Sequence, residues 1–152
     1  MIWVSKSFED LSALELYKIL QLRIDVFMIE QKCLYAECDD KDIKGKHLFL
    51  MDDSICVAYA RLLPPNVSYD NCTSIGRVLV NREYRNQNLG RCLMQKAIEN
   101  TISSYPEHAI RISAQKYLEK FYTALGFLRV SEEYLEDNIP HIEMIYSNHQ
   151  NN

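Results

Sequence analysis

Apolar positions recur along the chain at two periods, and the switches between them mark out the elements. Ser12-Ala13-Leu14-Glu15 has the form of a capping box, in which a serine and a glutamate three residues on satisfy free N–H groups at a helix start. It predicts a helix running to about Glu30, with Leu16, Leu20, Ile24 and Phe27, spaced by three and four, as the buried stripe. Residues 32–46 are polar and read as a loop. Residues 47–51 and 55–63 read as strands around the turn Asp52-Asp53-Ser54, the second stopped by Pro64-Pro65. A third apolar strand, 73–80, is followed by the polar loop 81–88 and a helix over 89–105. The stripe of that helix is Leu93, Met94, Ala97, Ile98, Thr101, Ile102 and Tyr105.

Pro106 ends that helix, and Ile110, Ile112 and Ala114 then alternate as a strand does. A short helix over 117–125 follows, with Leu118, Phe121, Tyr122 and Leu125 on one face. Gly126 is placed to close it in the left-handed conformation, with Phe127 folding back. Two more strands, 127–134 and 141–146, flank the turn Glu136-Asp137-Asn138. Strands and helices are thus mixed, which predicts an α/β (α+β) domain with one central sheet.

Composition narrows the class. A chain of 152 residues with 47% hydrophobic and 25% charged residues fits one globular domain. We assign residues 1–147 to it and 148–152 to a polar tail. Seventeen basic residues against 21 acidic ones give a net charge of −4, which argues against a nucleic-acid binder. The apolar runs are too short to cross a bilayer. Met1–Lys6 has neither a basic n-region nor an apolar h-region, so no signal peptide is expected. The five cysteines then read as reduced thiols of a cytoplasmic protein.

Chemistry concentrates in two segments. Ser74 to Arg91 is an apolar strand, a polar loop and a helix N-terminus, whose free N–H groups and partial positive charge suit a phosphate or pyrophosphate. Arg85 and Arg91 flank it and could pair with the same anion. Neither the P-loop nor the dinucleotide-binding glycine pattern occurs. The second segment, Phe121-Tyr122-x-x-Leu125-Gly126-Phe127, reads by itself as a core-facing helix with a glycine cap. Cys33-x₄-Cys38 with His47 lacks a fourth ligand, so no metal is expected.

Taken in order, Arg85-x-x-Asn88-x-Gly90 before a long helix, then a strand, then Phe121-Tyr122-x-x-Leu125-Gly126-Phe127, resemble the GNAT superfamily of acetyl-CoA-dependent N-acetyltransferases. Leu20-Gln21-Leu22-Arg23, Val26-Phe27, Glu30-Gln31, Ala58-Tyr59-Ala60-Arg61, Ile75-Gly76-Arg77-Val78 and Ile139-Pro140-His141-Ile142-x-Met144 resemble its ElaA-type branch. The resemblance implies a mixed, mostly antiparallel sheet splayed at the cofactor strand and flanked by helices. It implies acetyl-CoA as co-substrate and an amine acceptor, small-molecule or peptide, and it allows a homodimer.

Carried onto this chain, the resemblance puts pantetheine along Val78, Leu79 and Val80, with Gln115 beside it. The pyrophosphate falls to the loop amides of Arg85, Asn86, Gln87, Asn88, Leu89 and Gly90, together with Arg91. Tyr122 matches the tyrosine that protonates the departing thiolate. Glu30, His141 and Glu143 are the candidates for the base. Relatives usually carry glycine at the position of Asn88 and often at Asn86; asparagine is the side chain that best tolerates left-handed backbone. Arg23, Arg61 and Arg77 lie in apolar segments, where pairing with acids is the expected role. Two other readings stand beside the enzyme: a non-catalytic acyl-CoA-binding or sensing module on this fold, and a thiol-dependent enzyme on an unrelated α/β fold.

Overall fold

A computed structural model describes residues 1–148; the remainder of the polar tail, 149–152, lies outside the described residues. In chain order the elements are β1 (Ile2–Ser7), α1 (Ala13–Arg23), β2 (Lys46–Asp52), β3 (Ile55–Leu63), β4 (Cys72–Val80), α2 (Leu89–Ser104), β5 (Ala109–Gln115), α3 (Glu119–Ala124), β6 (Leu128–Arg129), β7 (Tyr134–Glu136) and β8 (Ile139–Tyr146). The strands form one open sheet in the order β1-β2-β3-β4-β5-β8-β6, with β7 also on β8. Every pairing is antiparallel except β4 with β5.

That single parallel pairing positions the site. β4 and β5 pair only through Cys72↔Ala109 and Thr73↔Ile110. Past Thr73 the two strands diverge, and the β5-facing edge of β4 is left without a ladder. On its other side β4 stays paired with β3, but with a bulge. Tyr59 opposes Leu79 and Arg61 opposes Gly76, so two steps along β3 match three along β4. Arg77, at φ 51, takes the left-handed backbone this requires.

Two core layers lie on the sheet. One gathers Leu93, Met94, Ala97 and Ile98 of α2 with Ile75, Ile110, Ile112, Ile142 and Met144. The other gathers Ile19, Leu22 and Val26 with Phe49, Tyr59 and Leu79. The α2 stripe and the alternation in β5 are as the periodicity predicts. Gly126 sits at φ +103, and the Phe127 N–H returns to the Tyr122 carbonyl at 3.1 Å.

Four expectations need correction. The capping box at Ser12 and Glu15 forms, but α1 buries Ile19, Leu22 and Arg23, whereas Ile24 is 42% exposed. A face containing a buried arginine outcompetes the purely apolar stripe because carboxylates elsewhere neutralise it. The helical run to Glu30 is present, but its second half, Ile24–Glu30, is a π-helix. The 127–134 strand breaks in two. Val130 N–H bonds the Glu143 carbonyl, and the Ser131 hydroxyl accepts from Glu143 N–H, so residues 131–133 loop off β8 before β7 rejoins it. Finally β1, not expected from the pattern, pairs along β2 as the sheet edge with no fully buried residue.

Candidate active site

The divergence of β4 from β5 opens a V that holds two adjoining cavities. The first, about 560 Å³, runs along Val78, Leu79 and Val80 to the loop before α2. The second, about 390 Å³, lies between Ile75–Val78 of β4 and Ile112–Gln115 of β5. Gln31, Val78, Tyr117, Leu118 and Tyr122 line both. The π-helix serves the two together, because its wider turn distributes successive side chains. Val26 and Glu30 face the first cavity and Phe27 the second.

The first cavity has the features of an anion site. Asn86 and Asn88 both take left-handed backbone, at φ 65 and 60, so the turn is made without glycine. Asn88 caps α2, whose first backbone bond runs from Cys92 N–H to the Asn88 carbonyl. The N–H groups of Leu89, Gly90 and Arg91 precede that bond and are therefore free of intrahelical partners. Asn86, Asn88, Leu89, Gly90, Arg85 and Arg91 all line this cavity; Gln87 does not. Arg85 arrives already engaged: Nε donates to the Val80 carbonyl at 3.1 Å, and the guanidinium grips Glu30 at 2.5 and 3.0 Å.

The three base candidates separate on this geometry. Glu30 belongs to the first cavity, and the hydrogen bond from Arg85 holds its carboxyl below the usual range, which makes it a weaker base. Glu143 lines neither cavity; its carboxylate is bound by Arg111, and its N–H by Ser131. His141 does line the second cavity. Its Nδ1 lies 2.7 Å from the Ile139 carbonyl, so Nδ1 carries the proton and Nε2 is the basic nitrogen. Nε2 is 3.2 Å from Glu136 Oε2, a carboxylate placed to stabilise the ring once protonated, and the ring stacks on Tyr134. Glu136 was read from the sequence only as part of a turn. The signal was available: a tight hairpin that pairs Tyr134 with His141 brings Glu136 beside the imidazole.

Tyr122 is 7% exposed and sits edge-on to both Phe121 and Phe127. Burial pushes its phenol up to about 12, so it is protonated throughout the neutral range. No side-chain hydrogen bond to its hydroxyl occurs among the described residues. Gln115 lines the second cavity rather than the first and bridges to Gln31 at 3.4 Å across the opening.

The outer wall of the second cavity comes from the 32–46 segment, and an ion network fastens it down. Arg23, fully buried, donates Nε to Glu37 at 2.6 Å and Nη1 to Asp42 at 2.8 Å. Arg61 binds Asp39 through two bonds, at 2.7 and 3.0 Å, and reaches Asp42 at 3.0 Å. Arg77 reaches Glu37 at 3.0 Å and stacks on Tyr35. Burial raises the Asp39 pKa, but the Arg61 bonds outweigh it and bring the carboxyl down to about 2. His47 backs the network from within the core: burial lowers its pKa, and it bonds the Tyr59 hydroxyl and the Asp42 carbonyl, each at 2.8 Å. The three arginines thus have the structural pairing expected of them.

Comparison with known proteins agrees with this geometry. The family model described as an acetyltransferase (GNAT) domain matches residues 16–147. An acyl-CoA N-acyltransferase from Pseudomonas aeruginosa superposes with a TM-score of 0.92 at 40% identity, covering 96% of this chain and 99% of that one. Protein ElaA of Escherichia coli is 38% identical over 144 residues, covering 93% of this chain and 94% of its own. Its crystal structure superposes with a TM-score of 0.91, over 97% of this chain and all of that one. A UPF0039 protein of Schizosaccharomyces pombe is 41% identical over 144 residues, covering 93% and 94%. The splayed sheet of eight strands is the GNAT fold, and family membership supports acyl-CoA-dependent acyltransferase activity. The chain belongs to the GNAT acetyltransferase family, with ElaA among its close homologues.

Proposed function

We propose that the protein is an N-acetyltransferase that moves an acetyl group from acetyl-CoA to an amine by direct attack on the thioester. The observation that carries this reading is the position of Tyr122 where the two cavities meet. The residues present fit a CoA thioester. The unladdered edge of β4 offers backbone groups to an extended pantetheine arm, and the free N–H groups at the start of α2 suit a pyrophosphate. With Arg85 held by Glu30, the pyrophosphate falls chiefly to those amides and to Arg91.

His141 Nε2 takes the proton of the attacking amine, and Glu136 stabilises the imidazolium that results. Tyr122 gives its phenolic proton to the sulfur as the C–S bond breaks and the C–N bond forms. Gln31, Leu118 and Tyr117 close the junction and orient the two reactants. The chain needs no metal for this, and a cytoplasmic supply of acetyl-CoA fits it.

The test is release of free CoA from acetyl-CoA across a panel of amines, with Tyr122→Phe as the diagnostic variant. Phe keeps both edge-on ring contacts and forfeits no side-chain hydrogen bond, so melting temperature and CoA affinity should stay near wild type. kcat should fall at least about tenfold, since a lost general acid costs ~10²–10⁴ and water substitutes in part. Wild-type kcat in the variant would remove Tyr122 from the mechanism. CoA binding without turnover on any amine would favour the non-catalytic module instead.

A further inference from the structure

The second cavity is electrically two-sided, and this bears on what the amine carries besides its nitrogen. On the wall formed by the 32–46 segment and the β4 bulge, Asp39 is consumed by Arg61. Lys41 and Arg77 line the same wall. The Lys41 ammonium donates to the Ser68 hydroxyl at 3.1 Å, and among the described residues no carboxylate lies within ion-pair distance of it. Arg77 spends Nε and Nη2 on Glu37 and Asp39, while its Nη1 makes no hydrogen bond among the described residues. The opposite wall, the β7–β8 turn, carries Glu136 and Asp137. Glu136 accepts from the Ser113 hydroxyl at 3.4 Å and has His141 Nε2 3.2 Å away, and among the described residues no lysine or arginine lies within ion-pair distance of it.

We infer that the acceptor is an aminocarboxylate: an amine whose nitrogen is received at the His141–Glu136 wall and whose carboxylate is received by Lys41 and Arg77. This rests on the acetyl-transfer reading above and adds the substrate class. A carboxylate satisfies unused donors of the ammonium and guanidinium, and charge-assisted bonds of that kind are the stronger ones. A diamine of the same length would set a second cation against that wall. A simple alkylamine would leave its donors unanswered. A length series measures the separation of the two walls.

The experiment compares ω-amino carboxylates of two to six carbons with alkylamines and diamines of matching length, reading free CoA. At least one aminocarboxylate should exceed both counterparts about tenfold or more in kcat/KM. Lys41→Gln should bring that ratio close to one, whereas Lys44→Gln, on the same turn but outside the cavity, should leave it unchanged. Equal values within every matched set, or a preference for diamines, would overturn the inference while leaving acetyl transfer intact. No CoA release from the three series, with release from another amine of the wider panel, would overturn the inference alone; no release from any amine would overturn the acetyl-transfer reading and the inference with it.

Discussion

Replacing Arg23 with methionine tests whether ion pairing, rather than packing, holds the acceptor wall. Arg23 is fully buried between α1 and the 32–46 segment, with bonds of 2.6, 2.8 and 3.0 Å to Glu37 Oε1, Asp42 Oδ1 and the Glu37 carbonyl. Removing one partner of a buried pair costs ~3–5 kcal/mol, because the other charge stays buried. Here each acid keeps a second arginine: Arg77 on Glu37 at 3.0 Å and Arg61 on Asp42 at 3.0 Å. Methionine also retains much of the apolar stem packing. The lower end, about 3 kcal/mol, is therefore expected, or ~6–12 °C in Tm for a chain of this size.

The loss should depend on pH in one direction. Burial raises the Asp42 pKa, but hydrogen bonds from Arg23 and then Arg61 outweigh it and hold the carboxyl below its usual range. A depressed carboxylate contributes stability that is present above its unfolded pKa of ~3.9 and is lost as pH falls through the folded value. The variant relieves that depression, so the Tm gap between the two proteins should narrow as pH is lowered from 7 towards 3. Urea unfolding at pH 7 and thermal melts across the range measure both quantities. A loss under about 1 kcal/mol at neutral pH, or a gap as wide at pH 3 as at pH 7, would refute the electrostatic account.

Further outcomes follow from the same geometry. Asn88→Gly should keep or improve CoA affinity measured by calorimetry, whereas Asn88→Val should weaken it several-fold, because a β-branched residue at φ 60 is strained by ~1 kcal/mol or more. Gly126→Ala should destabilise the fold by ~1–3 kcal/mol in urea unfolding, since a Cβ there meets Tyr146 Cε2 at 2.9 Å and the backbone is at φ +103. The wild-type to Tyr122→Phe rate ratio should stay constant from pH 7 to 10. Burial raises the phenol to about 12, so it keeps its proton over that range; a ratio collapsing near pH 10 would contradict this.

The second half of the chain was legible because its burial follows local period. Leu93 to Thr101 and Ile110 to Ala114 face the core with no help from distant charge. The first half hid more. That Arg23 pairs with an acid was expected, but not with which one, and only when Glu37 and Asp42, far along the chain, are folded against it does α1 show its inner face. The π-helix left no mark in the spacing, and β1, a half-buried edge, lacked clean alternation. In the site, the asparagine turn and Tyr122 could be found from local motif. The surroundings of Glu30, His141 and Glu143 could not, because their partners Arg85, Glu136 and Arg111 are assigned by tertiary pairing.

The bulge in β4 does more than aim Arg77 at Glu37. Upstream of it the odd-numbered Ile75 packs with α2; downstream the odd-numbered Leu79 packs with α1. The extra residue therefore exchanges inside for outside halfway along one strand, and a single strand supplies both layers of the core. Deleting one residue at position 77 would not be a milder form of substitution. It would reverse the parity of Val78, Leu79 and Val80 and turn each to the wrong layer. For this strand the count of residues, more than their hydrophobicity, is the inherited quantity.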